Sequence, residues 1–188
     1  MRAGRTVYTA RNEVAPEMDS QAITRKLQTR FGEHIIAAFP EGKHPRIHVD
    51  AANWRPIAEY LHGDPDLRLD WLACLSGVDY AADGKMCVVY DLLSFAHRHR
   101  FAVKVFCPRD NPHVPTVSDL WRAANWHERE AYDMFGIIFD GHPDPRRILC
   151  AEDWVGHPLR KDYVFPREYH GIPGSVELDW QQKPNYPT

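Results

Sequence analysis

Between Gly141 and Thr188 stand seven prolines, and they exclude a long helix or a central strand from the last quarter of the chain. Proline holds φ at roughly −65° and donates no backbone hydrogen bond, so neither kind of ladder runs through it. Disordered linkers are also rich in proline, but they are poor in aromatics, which have nothing there to bury against. This segment instead carries Trp154, Tyr163, Phe165, Tyr169, Trp180 and Tyr186, interleaved with Arg146, Arg147, Arg160, Lys161 and Arg167. Trp, Tyr and Arg are the residue types enriched at interface hot spots. Residues 141–188 therefore read as a stiffened strap. It lies either over its own domain or, the favoured reading, over a partner protein. Gly-His-Pro occurs twice in it, at 141–143 and 156–158, each time followed by a basic pair, Arg146-Arg147 and Arg160-Lys161. Glycine allows close backbone approach, proline adds stiffness, and the basic pairs are expected to anchor on carboxylates of the neighbour.

Ahead of the strap the pattern is that of a packed domain. Asp19-Ser20 is an N-cap signal, and Ile23, Leu27 and Phe31 follow on one helical face, with Gly32 as a stop. "EHIIAAF" and "PRIHVD" read as strands joined by the turn "PEGKHP". Trp54, Ile57, Ala58 and Leu61 mark a second helix, which must start near Asn53 to keep Pro56 in its first turn. "LDWLACLSGVDY", "KMCVVYDLLSF" and "RFAVKVFC" are three strand-like runs. Asp83-Gly84 turns the chain between the first two and "HRHR" at 97–100 between the others. A third helix follows in "PTVSDLWRAANWHEREAYDMFG", with Ser118 as its expected cap and Gly136 as its end. Helices packed on one face of a mixed or antiparallel sheet, an α+β domain over residues 19–140, satisfy this order. Residues 1–18 are expected to be flexible, and 141–188 form an irregular C-terminal extension.

Composition narrows the function. The 23 basic and 26 acidic residues nearly balance at −3, with no basic stripe to hold nucleic acid. Cys74, Cys87, Cys107 and Cys150 show no Cys-x-x-Cys spacing and read as buried reduced thiols rather than ligands of zinc or an iron–sulfur cluster. The N-terminus lacks the apolar stretch of a signal peptide. Runs such as "IIAAF" fall well short of the roughly 18 residues needed to span a bilayer. Neither glycine-rich nucleotide loops nor a Gly-x-Ser-x-Gly elbow occurs.

The most charged helix invites a catalytic reading and does not support it. "HERE" at 127–130 begins like the zinc-protease His-Glu-x-x-His, but Ala131 stands where the second His is needed. Glu128 and Glu130 point to different sides of a helix and form no acid–base pair. Glu130 shares a face with Asp133, and Arg129 is placed for an i, i+4 ion pair with Asp133. His142 and His157 each precede proline, which holds them as extended corner residues more readily than as metal ligands. No catalytic, cofactor-binding or metal residue is assigned.

"EREAYDMFGIIFDGHPDPRRIL" at 128–149, continuing "CAEDWVGHPLRKDYVFP" to 166, resembles the C-type subunit of the proton-pumping NADH-quinone oxidoreductase, respiratory complex I. "DWLACLSGVDY" and "VPTVSDLWRAANWHEREAYD" resemble the same family. The family signature, with the partner interface it implies, takes in Glu128, Arg129, Glu130, Asp133, His142, Arg146 and Arg147. It continues through Asp153, Trp154, His157, Arg160, Lys161, Asp162 and Tyr163. The resemblance implies an α/β scaffold in the hydrophilic arm of the complex. Its extension would wrap the large D-type subunit, which forms the quinone pocket, with the B-type and I-type subunits nearby. It also implies that FMN, the iron–sulfur clusters, NADH and quinone are held by other subunits. The implied location is peripheral, at the cytoplasmic face of the bacterial plasma membrane. Rival readings are the equivalent subunit of a membrane-bound hydrogenase or formate-oxidising complex, and a metallohydrolase using His142, His157, Asp144 and Asp153.

Overall fold

The computed structural model describes residues 18–173. The flexibility expected for residues 1–17 and the roles expected of Trp180 and Tyr186 lie outside the described residues. Helix α1 (Ser20–Phe31) begins where Asp19 turns extended and its carboxylate accepts the Ala22 N–H at 2.6 Å, satisfying one of the orphan donors of a helix start. Ile23 and Leu27 on its inner face are fully buried. Strands β1 (Ile35–Phe39) and β2 (Arg46–Asp50) pair antiparallel. Helix α2 (Trp54–Gly63) follows, with Pro56 in its first turn as its ring requires.

Strands β3 (Trp71–Tyr80), β4 (Lys85–Ser94) and β5 (His99–Pro108) form the meander. The β3–β4 connection is longer than a two-residue turn. Ala81–Asp83 make a single helical turn, and Gly84 takes φ 62°, leaving Tyr80 opposite Lys85. The sheet order is β1-β2-β5-β4-β3, antiparallel throughout except for β2 beside β5. A short β6 (His113–Pro115), hidden from sequence reading by its three-residue length, pairs in parallel with β7 (Ile138–Asp140) around helix α3 (Ala124–Phe135). In the strap only β8 (Glu168–Tyr169) and β9 (Ile172–Pro173) are regular among the described residues. "RRILC" forms no element.

All three helices join one core cluster. It takes Met86, Val88, Tyr90 and Leu92 from β4 and omits their outward neighbour Cys87, so the helices cover one face of the sheet. Close approach of α3 depends on Gly77: a Cβ there would stand 2.5 Å from Phe135 Cδ2. Two expectations need correction. Ser118 does not cap α3, which starts at Ala124; Leu120 and Trp121 donate to Val117 O in a separate turn. Of the cysteines only Cys87 and Cys107 are buried, and burial pushes their thiols up to about 12 and about 11. Cys74 and Cys150 are half-buried.

Candidate functional site

Asp133, in the last turn of α3, is fully buried and organises the first part of the strap. Its Oδ2 accepts three consecutive backbone N–H groups, from Ile148 (3.0 Å), Leu149 (2.7 Å) and Cys150 (2.9 Å). Its Oδ1 accepts from the Arg147 guanidinium at 2.7 Å. Burial alone would push this carboxyl up, but the three N–H groups and Arg147 outweigh it and hold Asp133 below the ordinary carboxylate value. Arg147 also donates to Gly156 O at 2.9 Å, tying the two corners of the strap together.

The repeated Gly-His-Pro has a physical reason. Each glycine has positive φ, 83° at Gly141 and 80° at Gly156, and each histidine then hydrogen-bonds a backbone carbonyl of α3, His142 near its start and His157 near its end. The Asp144 N–H donates to His142 Nδ1 at 3.0 Å, so the ring proton sits on Nε2 and donates to Asn125 O at 3.1 Å. His157 Nδ1 donates to Asp133 O at 3.0 Å, and burial lowers its pKa. The terminal carbonyls of α3 thus find strap donors: Leu159 N–H on Met134 O (3.0 Å) and Arg160 Nε on Phe135 O (2.7 Å). Gly136 lets them in. Its φ is 72°, and a Cβ there would lie 2.5 Å from the His157 ring and 3.0 Å from Arg160. Gly136→Ala is therefore expected to expel residues 156–160 while α3 persists. Faster amide exchange at Leu159 and Arg160, with unchanged exchange in β4, is the expected reading.

A second pin was not visible in the sequence reading. Asp79, at the end of β3, is buried and held bidentately by Arg109 at 2.8 and 3.0 Å. It also accepts the Lys161 N–H at 2.8 Å, and Arg109 reaches on to Asp162. Alternation carried the signal: a carboxylate two residues beyond inward Gly77 faces the core and needs a partner.

Several sequence-predicted residues act differently from expectation. Arg129 makes no ion pair with Asp133. It donates to Arg146 O at 3.1 Å, lies 3.5 Å from Asp144 and stacks over Trp126. Glu130 is exposed. Glu128 is fully buried and accepts from Thr116 Oγ1 and from the Val117 N–H at 2.8 Å, clamping the segment before α3. Burial pushes its carboxyl up to about 7. Three of the four side chains of the basic pairs find acceptors in this chain: Asp144 for Arg146, Asp133 for Arg147 and Phe135 O for Arg160. Asp153 accepts from Tyr169 and His170, and the Tyr169 ring lies 5.0 Å from that of half-buried Trp154. Tyr163 donates to Val155 O. Among the described residues no three His, Cys, Asp or Glu side chains gather to hold a metal ion, and His142 and His157 sit at opposite ends of α3.

Fold and site together define a class: a small α+β domain whose buried carboxylates, Asp133 and Asp79, fix residues 147–150 and 161 of a C-terminal strap. Residues 47–169 match the family model described as respiratory-chain NADH dehydrogenase, 30 Kd subunit, and the chain belongs to that family. It is 56% identical over 150 residues to the C-type subunit of NADH-quinone oxidoreductase from Chloroherpeton thalassium, spanning 79% of this chain and 62% of that protein. The C-type subunits of Chlorobium phaeobacteroides and Roseiflexus castenholzii are 49% and 44% identical, over 78% and 89% of this chain and 89% and 97% of theirs. A solved fragment described as "Nqo5 of the trypsin-resistant fragment (1-134)" matches with TM-score 0.55 and 31% identity, over 65% of this chain and 98% of that one. A chain of an archaeal membrane-bound sulfane sulfur reductase shares the fold, with TM-score 0.61 and 18% identity over 89% of this chain and 95% of that one.

Proposed function

We propose that this chain is a scaffold subunit of the hydrophilic arm of a proton-translocating NADH:quinone oxidoreductase. In that role it supports electron transfer from NADH through iron–sulfur clusters to quinone and makes or breaks no bond itself. Its strap, residues 141–188, docks on the large D-type subunit of the quinone pocket, with the B-type and I-type subunits close by. FMN, the clusters, NADH and quinone are held by other subunits of the complex, and the assembly puts the chain at the cytoplasmic face of the plasma membrane. No helix among the described residues is long and apolar enough to cross a membrane.

One observation carries this reading. Among the described residues the strap backbone is held to the domain by hydrogen bonds, yet apolar side chains on it are exposed: Val155 is 85% exposed, Val164 84%, Phe165 56% and Leu159 52%. Scattered exposed apolar residues are ordinary, but a run of them on one ordered segment marks an interaction surface. Prior ordering also lowers the entropy lost on binding.

The double variant Leu159→Lys, Phe165→Lys tests it. Each position is expected to cost about 1–4 kcal/mol of assembly, as hot-spot truncations do. Recovery of the chain with the oxidoreductase subunits from native membranes should fall sharply, while the melting temperature of the isolated chain stays put. Undiminished recovery would remove the strap from the interface.

A further inference from the structure

The sheet face turned away from the helices carries no helix among the described residues, yet its centre is not polar. A sheet with one solvated face is expected to alternate apolar inward and polar outward. Here the outward set on β4 and β5 includes Cys87, Val89, Leu93, Ala102 and Phe106, and of these Cys87 and Ala102 are buried. Val78 of β3 stands opposite Cys87 and extends the apolar strip.

Two further features mark this face. A ladder of rings crosses it diagonally, from Phe39 in the row of Arg46 and Ala102 to Tyr80 beside Lys85, with Phe39 4.8 Å from His48, His48 5.3 Å from Phe106, and Phe106 5.8 Å from Tyr80. Arg46 lies over Phe39, Lys104 over Tyr80 and Lys85 over Phe106. Among the described residues none of these three cations forms an ion pair, whereas Lys26, Arg55, Arg109 and Arg147 all do. Burial, with the positive charges of Arg46 and Lys104, lowers the pKa of His48 between them. Beside Arg46 in register, the small Ala102 leaves a hollow of about 230 Å³, walled by Leu93, Arg100, Asp91 and Pro45.

We propose that this face docks an acidic amphipathic helix from another subunit of the complex, an inference that rests on the reading given under Proposed function. Its carboxylates meet Arg46, Lys104 and Lys85, and an apolar side chain fills the hollow over Ala102. Charge complementarity sets the register, and apolar contact along Val78, Val89 and Leu93 excludes water. A lipid surface is the poorer occupant. The apolar residues at the centre of the face, Val78, Val89, Leu93 and Phe106, are half-buried; the more exposed Trp71, opposite Leu93, stands at the β3 edge, so the centre offers little to insert into a bilayer. Asp50 and Asp91 are the exposed acids of the face, opposite Phe106 and Ala102 in register.

Two reagents applied to the native complex and to the isolated full chain test this. Cys74 lies on the same face, opposite Asp91, and is half-buried. Its alkylation by N-ethylmaleimide, read on its own peptide, should slow at least about tenfold in the complex, because docked interface cores exclude solvent. A zero-length carbodiimide should link Lys85 or Lys104 to an Asp or Glu of another subunit, and Lys104→Glu should remove the links made at position 104. Equal alkylation rates without such links, in a chain that still co-purifies with the oxidoreductase, would overturn the docking face and leave the scaffold reading standing. Links only between two copies of this chain, or binding of the isolated chain to anionic vesicles without protection of Cys74 in the complex, would also overturn it. A chain that does not co-purify at all overturns both readings.

Discussion

Replacing Asp133 with Asn should undock the strap and lower the stability of the chain by about 3 kcal/mol, since one buried charged acceptor serves several donors at once. The change is nearly isosteric, so no cavity or clash complicates it. Asn keeps one carbonyl oxygen but puts an NH₂ where the second acceptor stood. Either Arg147 or the N–H groups of Ile148, Leu149 and Cys150 then face a donor. The strap can escape by opening into water, which caps the loss below the sum of the separate bonds. Amide exchange at residues 148–150 should accelerate about a hundredfold, the factor that corresponds to roughly 3 kcal/mol. Wild-type protection at those amides would mean that Asp133 does not hold the strap. A pH dependence accompanies this. The folded pKa of Asp133 is depressed below its ordinary 3.8, so its contribution is present above that value and is lost as pH falls through the depressed one. Acid should therefore release the strap.

The replacement of Glu128 by Gln is expected to act in the opposite direction. Burial raises the carboxyl from 4.5 to about 7, so the folded chain binds a proton more tightly than the unfolded chain does. Stability from this group is greatest below 4.5 and falls as pH rises toward 7, where the buried site must hold a charge. At about 1.4 kcal/mol per pH unit the interval amounts to roughly 3 kcal/mol. Gln keeps an oxygen for the Val117 N–H and presents a donor to Thr116 Oγ1, so most of the clamp survives. Urea denaturation from about pH 5 to about pH 8 should show wild-type stability declining while the variant stays level, with the variant ahead by about 1–3 kcal/mol at the upper end. Parallel curves would show that Glu128 is not a desolvated carboxyl.

These two residues also mark where sequence reading succeeded and where it stopped. Both were visible as members of a charged helix and of a family signature, and both matter. Their partners were not visible. Local spacing placed Arg129 against Asp133, but an exposed i, i+4 pair is worth only about 0.2–0.5 kcal/mol. Three backbone N–H groups converging from residues 148–150 outbid it. Ser118 looked like a cap because hydroxyls near helix starts usually are. The clamp on that segment is Glu128, reaching back from the second turn of α3 to Thr116 and Val117.

The order of the three helices and of the five strands of the main sheet was legible because it rests on local causes: the Asp19 cap, the spacing of Ile23 and Leu27, the freedom of Gly84, the fixed φ of proline. The strap's irregularity and its two corners were legible for the same reason. Which carboxylate receives which donor could not be read that way, because Asp79 meets Lys161 across 82 positions of sequence. Buried charge must be neutralised by whatever the folded chain brings within hydrogen-bond reach, and only the tertiary structure decides what that is.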